Sequence, residues 1–152
     1  LTENILVEMS AVNTNHPVVN AVLNQKFHLA REQGTSMIFK VGDMSGMRLN
    51  EEETVILLSN LLDNAIRECV KVVKAGRKAV IHIKLVQEDG KIIFSVKNPV
   101  VEKVQITDGI VQDSNGGMHG IGLSNVKAVV DKYGGDFVIS CDSEKFQAVV
   151  ML

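Results

Sequence analysis

Apolar residues recur at intervals of three and four in three parts of the chain and alternate with polar residues in the stretches between them. The first pattern predicts amphipathic helices and the second predicts β-strands. The predicted helices are 15–34, 51–75 and 120–133, and the predicted strands are 37–41, 79–86, 92–96, 137–141 and 146–151. Strand pairs interleaved with helices predict an α/β (α+β) fold, a two-layer sandwich in which three helices cover one face of a mixed, mostly antiparallel sheet.

Turn residues set several of these boundaries. Asp89-Gly90 is a hairpin signal between two predicted strands, and Asn98-Pro99 is predicted to stop the second of them. From residue 100 to 117 the pattern weakens into a long polar segment. Because loops of that length are uncommon inside a compact domain, this segment is predicted to be a functional lid.

Length and composition limit the class of protein. The 152 residues, with 45% hydrophobic and 22% charged, are typical of one soluble globular domain. We assign residues 15–152 to that domain and 1–14 to the tail of an upstream helix or linker. A net charge of -2 and 4% aromatic residues argue against nucleic-acid binding. No apolar run approaches the ~20 residues that span a bilayer, and a chain that begins with Leu1 is expected to be an excised domain.

The second predicted helix carries a polar stripe of unusual composition. Asn60, Asn64, Arg67 and Lys71 fall within a narrow arc opposite the apolar face. A solvated helix surface normally favours Glu and Lys, whereas asparagine costs helix stability. Asparagine carbonyl oxygens can ligate Mg²⁺ without neutralising it, and Arg67 can reach a terminal phosphate by a forked contact. A solvated face and a magnesium-phosphate site both remain open at this point.

The segment from Gly116 to Leu123 contains four glycines and leads into the third predicted helix, which begins at Gly120 or Ile121. Glycines let the backbone approach a ligand closely, and the free N–H groups of a helix N-terminus bind anions. A flexible turn before a helix is the alternative. The segment is not a Walker loop, because no Lys-Ser/Thr follows, and a polar loop precedes it where a dinucleotide fingerprint needs a strand.

Taken together, the two segments resemble motifs of the Bergerat-fold (GHKL) ATPases, the superfamily of gyrase, heat-shock chaperone, histidine kinase and mismatch-repair ATPases. The sequence from Asn60 to Ala65 resembles the N box, and the sequence from Gly120 to Val126 resembles the second glycine box. The resemblance spans roughly residues 15 to 151. It implies a two-layer sandwich that holds ATP and Mg²⁺ between helices, under a mobile lid.

The resemblance also implies roles for the polar stripe. Asn64 matches the asparagine that holds Mg²⁺ against the phosphates. Asn60 matches a position where gyrase-like members have a Glu that activates water, and where histidine kinases have Asn. Arg67 matches a kinase Lys or Arg near the terminal phosphate. The implied branch is therefore histidine kinase, with Asn60 and Arg67 as catalytic residues.

The adenine end departs from the usual family pattern. The first glycine box normally has an Asp that accepts from the adenine amino group, whereas Asn98 offers a carbonyl here and the glycines are absent. That variation resembles the peptide-pheromone-sensing kinases of the accessory-gene-regulator type; Asp108 is a weaker substitute. With Asn60, Asn64 and Arg67, the implied nucleotide contacts are Lys71, Asn98, Gly117, His119, Gly120, Ile121, Gly122 and Leu123.

The histidines at 16, 28, 82 and 119 lie in no phosphoacceptor motif. The resemblance therefore implies an acceptor His on a separate dimerisation domain absent from this chain, a response regulator as the next partner, and a cytoplasmic domain of a membrane-anchored parent. Two other functions stay open: a serine kinase of the anti-sigma-factor type, which shares the fold and the N box, and a nucleotide-independent interaction module, which the altered first glycine box would suit.

Overall fold

The computed structural model describes residues 13–103, 105–107, 110–112 and 119–152. Most of the predicted upstream tail and the candidate residue Gly117 lie outside the described residues. The helices and strands are α1 Pro17–Glu32, β1 Ser36–Val41, α2 Glu51–Lys74, β2 Val80–Glu88, β3 Lys91–Pro99, β4 Gln105–Thr107, β5 Ile110–Gln112, α3 His119–Lys132, β6 Asp136–Cys141 and β7 Lys145–Met151.

Five strands form one open sheet in the order β1-β2-β3-β7-β6. The pair β1 and β2 is parallel, and the other three pairs are antiparallel. The three helices pack on one face of this sheet, with α2 in contact with both α1 and α3. The predicted two-layer sandwich with a mixed, mostly antiparallel sheet is therefore confirmed.

The central helix α2 is held by its ends and by its apolar face. Asn50 caps it: the Asn50 side chain accepts from the Glu53 N–H at 2.8 Å, and the Glu53 side chain accepts from the Asn50 N–H at 3.0 Å. This reciprocal capping box satisfies N–H groups that the first turn would otherwise leave free. Leu58, Leu61 and Leu62 are almost completely buried beneath the helix, and each contributes about 1.5–3 kcal/mol by its burial. Packing thus fixes α2, which leaves its polar side available for other chemistry.

The N-terminal end of the described chain is tied into the same core. Thr14, the last residue assigned to the tail, is fully buried, and its Oγ1 donates to Asn20 Oδ1 at 2.7 Å. The Met44 N–H donates to the Thr14 carbonyl at 2.7 Å. His16 caps α1 by accepting from the Val19 N–H at 3.3 Å.

The predicted end of strand β3 was wrong. Strand β3 does not stop before Asn98; it continues through Pro99, and Asn98 lies opposite Phe146 on β7. A proline can stand at the last position of a strand because it removes only its own N–H from the ladder.

The predicted lid is also not wholly irregular. It contains the short strands β4 and β5, which pair antiparallel with Ile106 opposite Val111. The β-branched residues there flank Asp108-Gly109, the same hairpin signal that separates β2 from β3. Each of these two strands is only three residues long, which is too short for a clear alternation of apolar and polar residues.

Within the described residues, no helix has the length and apolar character needed to cross a membrane.

Candidate functional site

Unsatisfied polar atoms mark two of the predicted site residues. Among the described residues, three buried side-chain oxygens lack a hydrogen-bond partner, and two of them are the amide oxygens of Asn64 and Asn98. The third is Thr35 Oγ1, which lies close to the Cys69 thiol. Leaving a buried acceptor unpaired costs about 1–3 kcal/mol. The amide oxygens of Asn64 and Asn98 are therefore each available to contact a bound group.

Asn64 lies on α2 and is only 5% exposed. Its neighbours along the helix, Leu61, Leu62 and Ala65, belong to the core, so the side chain cannot turn fully to solvent. An amide oxygen in this position is a suitable ligand for Mg²⁺, because Mg²⁺ prefers oxygen donors. Since the amide is neutral, it would leave the full charge of the ion available for phosphate. Asn64 therefore fits the predicted role of metal ligand.

Asn60 lies one helical turn earlier, about 6 Å along the axis of α2, and it faces helix α3. A Cβ atom built on Gly122 would be 3.0 Å from Asn60 Oδ1 and 3.4 Å from its Cγ. The absence of a side chain at Gly122 thus lets the first turn of α3 approach Asn60 directly. The N box and the second glycine box, which are far apart in sequence, meet at this contact.

The first turn of α3 consists of His119, Gly120, Ile121 and Gly122, so the helix begins one residue before the earliest predicted start. The first four N–H groups of a helix have no partner within it, and the helix dipole places partial positive charge at this end. Because Gly122 lies against Asn60, this anion-attracting turn is next to the polar stripe of α2.

Asn98 is 1% exposed and occupies the helix-facing side of β3. Its Nδ2 donates to the Pro99 carbonyl at 2.9 Å, which orients the amide and leaves Oδ1 without a partner. An amide oxygen can accept from an amino group as a carboxylate does, although without the charge. The orphaned oxygen therefore fits the adenine amino group that the resemblance assigns to this position.

The remaining predicted residues differ in their surroundings. Arg67 is exposed, whereas Lys71 is partly buried and its Nζ lies 3.2 Å from the carboxylate of the buried Glu68. Leu123 is 2% exposed and belongs to the hydrophobic core, so its side chain helps to seat α3. Burial, with a smaller effect of Glu68, raises the pKa of Cys69 to about 12, which keeps this neighbouring cysteine a neutral thiol.

Two groups of residues near the site were not predicted from the sequence. Lys26 on α1 forms a 2.8 Å ion pair with Asp63, which stands directly before Asn64 on α2. In the first turn of α2, the Glu53 carboxylate accepts from Lys132 and Tyr133 at the end of α3. Of these residues, the sequence pattern could have pointed to Lys26. It is a charged residue directly before Phe27, on the side of α1 that faces the core, where a charge needs an ion-pair partner.

A family model described as the GHKL domain matches residues 49–152, which is well over half of the chain and runs from the start of α2 to the last residue. The chain belongs to the GHKL family. No curated protein sequence is similar enough to this GHKL domain to count as a match.

Solved structures of histidine kinases share the fold of this GHKL domain. The catalytic domain of histidine kinase ThkA is 17% identical with a TM-score of 0.63, over 92% of each chain. The Acinetobacter baumannii histidine kinase AdeS is 18% identical with a TM-score of 0.64, over 100% of this chain and 71% of its own. The blue-light activated histidine kinase of Erythrobacter litoralis is 14% identical with a TM-score of 0.63, over 99% and 67%. At these identities the likeness establishes the fold.

Proposed function

We propose that this GHKL domain binds Mg-ATP and donates the γ-phosphoryl group to a histidine on a separate dimerisation domain, as the catalytic domain of a two-component sensor histidine kinase. The observation that carries the proposal is the pair of orphaned amide oxygens on Asn64 and Asn98. They are buried at the two positions where the family motifs require a metal ligand and an adenine acceptor.

The other site residues divide the work between positioning and electrostatic stabilisation. Asn64 would hold Mg²⁺, which would supply positive charge beside the phosphates. The N–H groups in the first turn of α3, near Gly120 and Gly122, approach the phosphate chain, and the exposed Arg67 extends toward its terminal group. Phosphoryl transfer depends mainly on such positioning and charge stabilisation, with little covalent chemistry for the protein to perform.

Asn60 sets the balance between hydrolysis and transfer. Its amide cannot take a proton from water as a glutamate would, so water in the site is poorly activated. Slow hydrolysis preserves the γ-phosphoryl group until an acceptor imidazole arrives from the dimerisation domain. The same proposal includes a response regulator as the next acceptor, a membrane-anchored parent of the peptide-pheromone-sensing type, and a cytoplasmic position for this domain.

Nucleotide binding by the purified domain is the first test. A fluorescent ATP analogue is titrated with and without Mg²⁺ into the parent chain and into Asn64→Ala, Asn98→Ala and Asn24→Ala. Asn24 lies on the exposed side of α1 and serves as the matched control. We expect Asn64→Ala to remove the Mg²⁺ dependence, Asn98→Ala to weaken binding about tenfold, and Asn24→Ala to change nothing. Saturable binding that is indifferent to Asn64 and Asn98, or no binding at all, would contradict the proposal and favour an interaction module.

The phosphorylated residue is the second test. The full-length parent protein, incubated with γ-labelled ATP, should acquire acid-labile, base-stable phosphohistidine outside the region described here. An acid-stable phosphoserine on a partner protein would instead identify the anti-sigma-factor type of kinase. Rapid ATP turnover by the isolated domain would contradict the role assigned to Asn60.

A further inference from the structure

The sheet face turned away from the helices carries a regular array of side chains, here called the open face. Alternation along the strands and the strand register place these side chains in rows that run across the sheet. One row contains His82 beside Lys97, and the next contains Lys40 beside Lys84. The part of the open face on β1, β2 and β3 is therefore strongly basic.

The basic part is recessed. A cavity of about 660 Å³ is lined by Arg77, Lys78 and Lys145 together with His82 and Lys97. A second cavity of about 220 Å³ is lined by Lys40 and Lys84 and shares His82 and Lys97 with the first. The two cavities thus form one continuous trough, called the basic trough below.

Basic residues outnumber acidic ones in the basic trough, although Asp142 lies close enough to Lys145 for the two charges to interact. No ion pair within the described residues involves Lys40, Lys84 or Lys97, and Glu144 is the acidic residue that lines the larger cavity. Like charges placed side by side across strands are destabilising. Partial burial, and then the charge of Lys97, lower the pKa of His82. A chain with net charge -2 has therefore gathered positive charge on one surface, where it favours an anionic partner.

The rest of the open face carries a group of apolar side chains, here called the apolar half, beside the polar residues Asp136, Ser140 and Gln147. Val138 is 54% exposed and Met151 is 38% exposed. Val149 lies between Val138 and Ser95 in the register, and Met151 lies opposite Ile93. This apolar half adjoins the basic trough directly at Ser95, which also lines the smaller cavity.

We propose that the open face docks a partner protein through an acidic amphipathic segment, with its carboxylates in the basic trough and its apolar side chains over the apolar half. The basic trough reaches from Lys40 on β1 to Lys145 on β7, a width of about 14 Å at ~4.8 Å per strand. A single small anion would contact only two or three of these cations. A charged trough beside an apolar patch matches the polar rim and apolar centre of a protein interface.

The size of the open face limits the strength of this interaction. Five strands at ~4.8 Å and about six residues at ~3.3 Å give a face of roughly 475 Å², below the ~800 Å² per partner of a standard stable interface. The docking is therefore weak and transient, as suits a signalling contact. Asn98, which is assigned to the adenine end, also lines the larger cavity, but Lys40, Lys84 and Lys97 are not among the predicted nucleotide contacts. Because peptide binding is measured without nucleotide, its failure can be told apart from a failure of the proposed function.

The test uses two synthetic helical peptides of the same glutamate, leucine and alanine composition. One places glutamate and leucine on adjoining halves of one helix face, and the other is scrambled. Each is titrated into the isotope-labelled chain without nucleotide, and amide chemical shifts are followed. We expect the ordered peptide to bind saturably, about fivefold or more tightly than the scrambled one, with shifts at Lys84, Ser95 and Lys97 and weakening by salt. The pKa of His82 should rise when the peptide is bound.

Matched variants decide whether the trough is responsible. The double variant Lys84→Gln/Lys97→Gln should weaken peptide binding about fivefold or more, whereas Lys74→Gln/Lys127→Gln removes two exposed lysines on helices α2 and α3 and should leave it unchanged. Equal binding of both peptides, or shifts that fall mainly outside the open face, would overturn the proposal. So would preferential binding to phosphatidylglycerol vesicles, which would assign the face to a membrane surface, or saturable binding of inorganic phosphate without peptide discrimination.

Discussion

Gly122 on α3 lies directly against Asn60 on α2, so close that a Cβ at Gly122 would be 3.0 Å from the Asn60 amide oxygen. Few Cβ atoms in proteins are that near a neighbouring side chain, and Asn60 would have to move by a few tenths of an ångström. The glycine thus sets the distance between the first turn of α3 and the polar stripe on α2.

Gly122→Ala should separate stability from nucleotide binding. Alanine is favoured over glycine in a helix by about 1 kcal/mol, so we expect the free energy of unfolding to stay the same or rise. Affinity for Mg-ATP should fall because the new methyl group displaces Asn60. Denaturant titration and nucleotide titration measure the two quantities. Ala128→Gly, an exposed change on the same helix, is the control: it should lower stability by about 1 kcal/mol and leave affinity intact.

Asn64→Ala should also be no less stable than the parent chain in the absence of nucleotide. Removing a buried, unpaired acceptor relieves a cost of about 1–3 kcal/mol, which offsets the packing that is lost. The stabilisation that Mg-ATP gives by binding the folded state should disappear in the variant. Thermal unfolding with and without Mg-ATP measures both effects. A loss of more than about 2 kcal/mol without nucleotide would instead make Asn64 a structural amide.

Glu53→Gln should remove an acid-dependent part of the stability. The hydrogen bond from Lys132, followed by those from Tyr133 and the Asn50 backbone, lowers the pKa of Glu53 from 4.5 to about 2. Because the folded-state pKa is the lower one, the contribution is complete above pH 4.5 and is lost as the pH falls toward 2. The difference in unfolding free energy between parent and variant should therefore shrink over that interval. Glutamine can keep the capping box, so a pH-independent difference would count against the charge effect.

Gly134 and Gly135 should resist substitution for different reasons. A Cβ at Gly135 would lie 2.3 Å from the Met151 carbonyl oxygen, a backbone atom that cannot yield easily. A Cβ at Gly134 meets nothing within 4 Å, but the residue has a φ of +66°. We expect Gly134→Ala to cost about 1–2 kcal/mol through backbone strain, and Gly135→Ala to cost more because β7 must move. Chemical denaturation of both variants compares the two costs, and equal values would contradict the assigned overlap.

The local pattern of apolar and polar residues was sufficient to predict the main helices and strands of this fold, but not the short hairpin or the end of β3. The leucines of α2 and the alternation in β2 predicted a buried helix face and a sheet, and both are confirmed. The hairpin of β4 and β5 was missed because three-residue runs are too short to show a period. The end of β3 was misplaced because Pro99 reads as a stop, although it stands last in the ladder.

For the candidate site, the sequence predicted which residues to consider but not how they are arranged. Asn64 and Asn98 were identified from their chemistry and their motif positions, and their burial without a partner was visible only in three dimensions. The contact of Asn60 with Gly122, and that of Glu53 with Lys132, join residues from opposite ends of the matched region. Such pairs depend on how helices pack, which no periodicity within a single helix encodes.

The pairing of β3 with β7 has a consequence for synthesis on the ribosome. The strand partner of Asn98 is Phe146, and Phe146 belongs to β7, the last strand in chain order. Pairing between such distant segments is slow to form and cannot begin before both have been made. A nascent chain that already contains Asn60 and Asn64 therefore lacks the complete strand pairing around Asn98, the proposed adenine contact. The domain should stay unable to hold nucleotide until translation has passed β7.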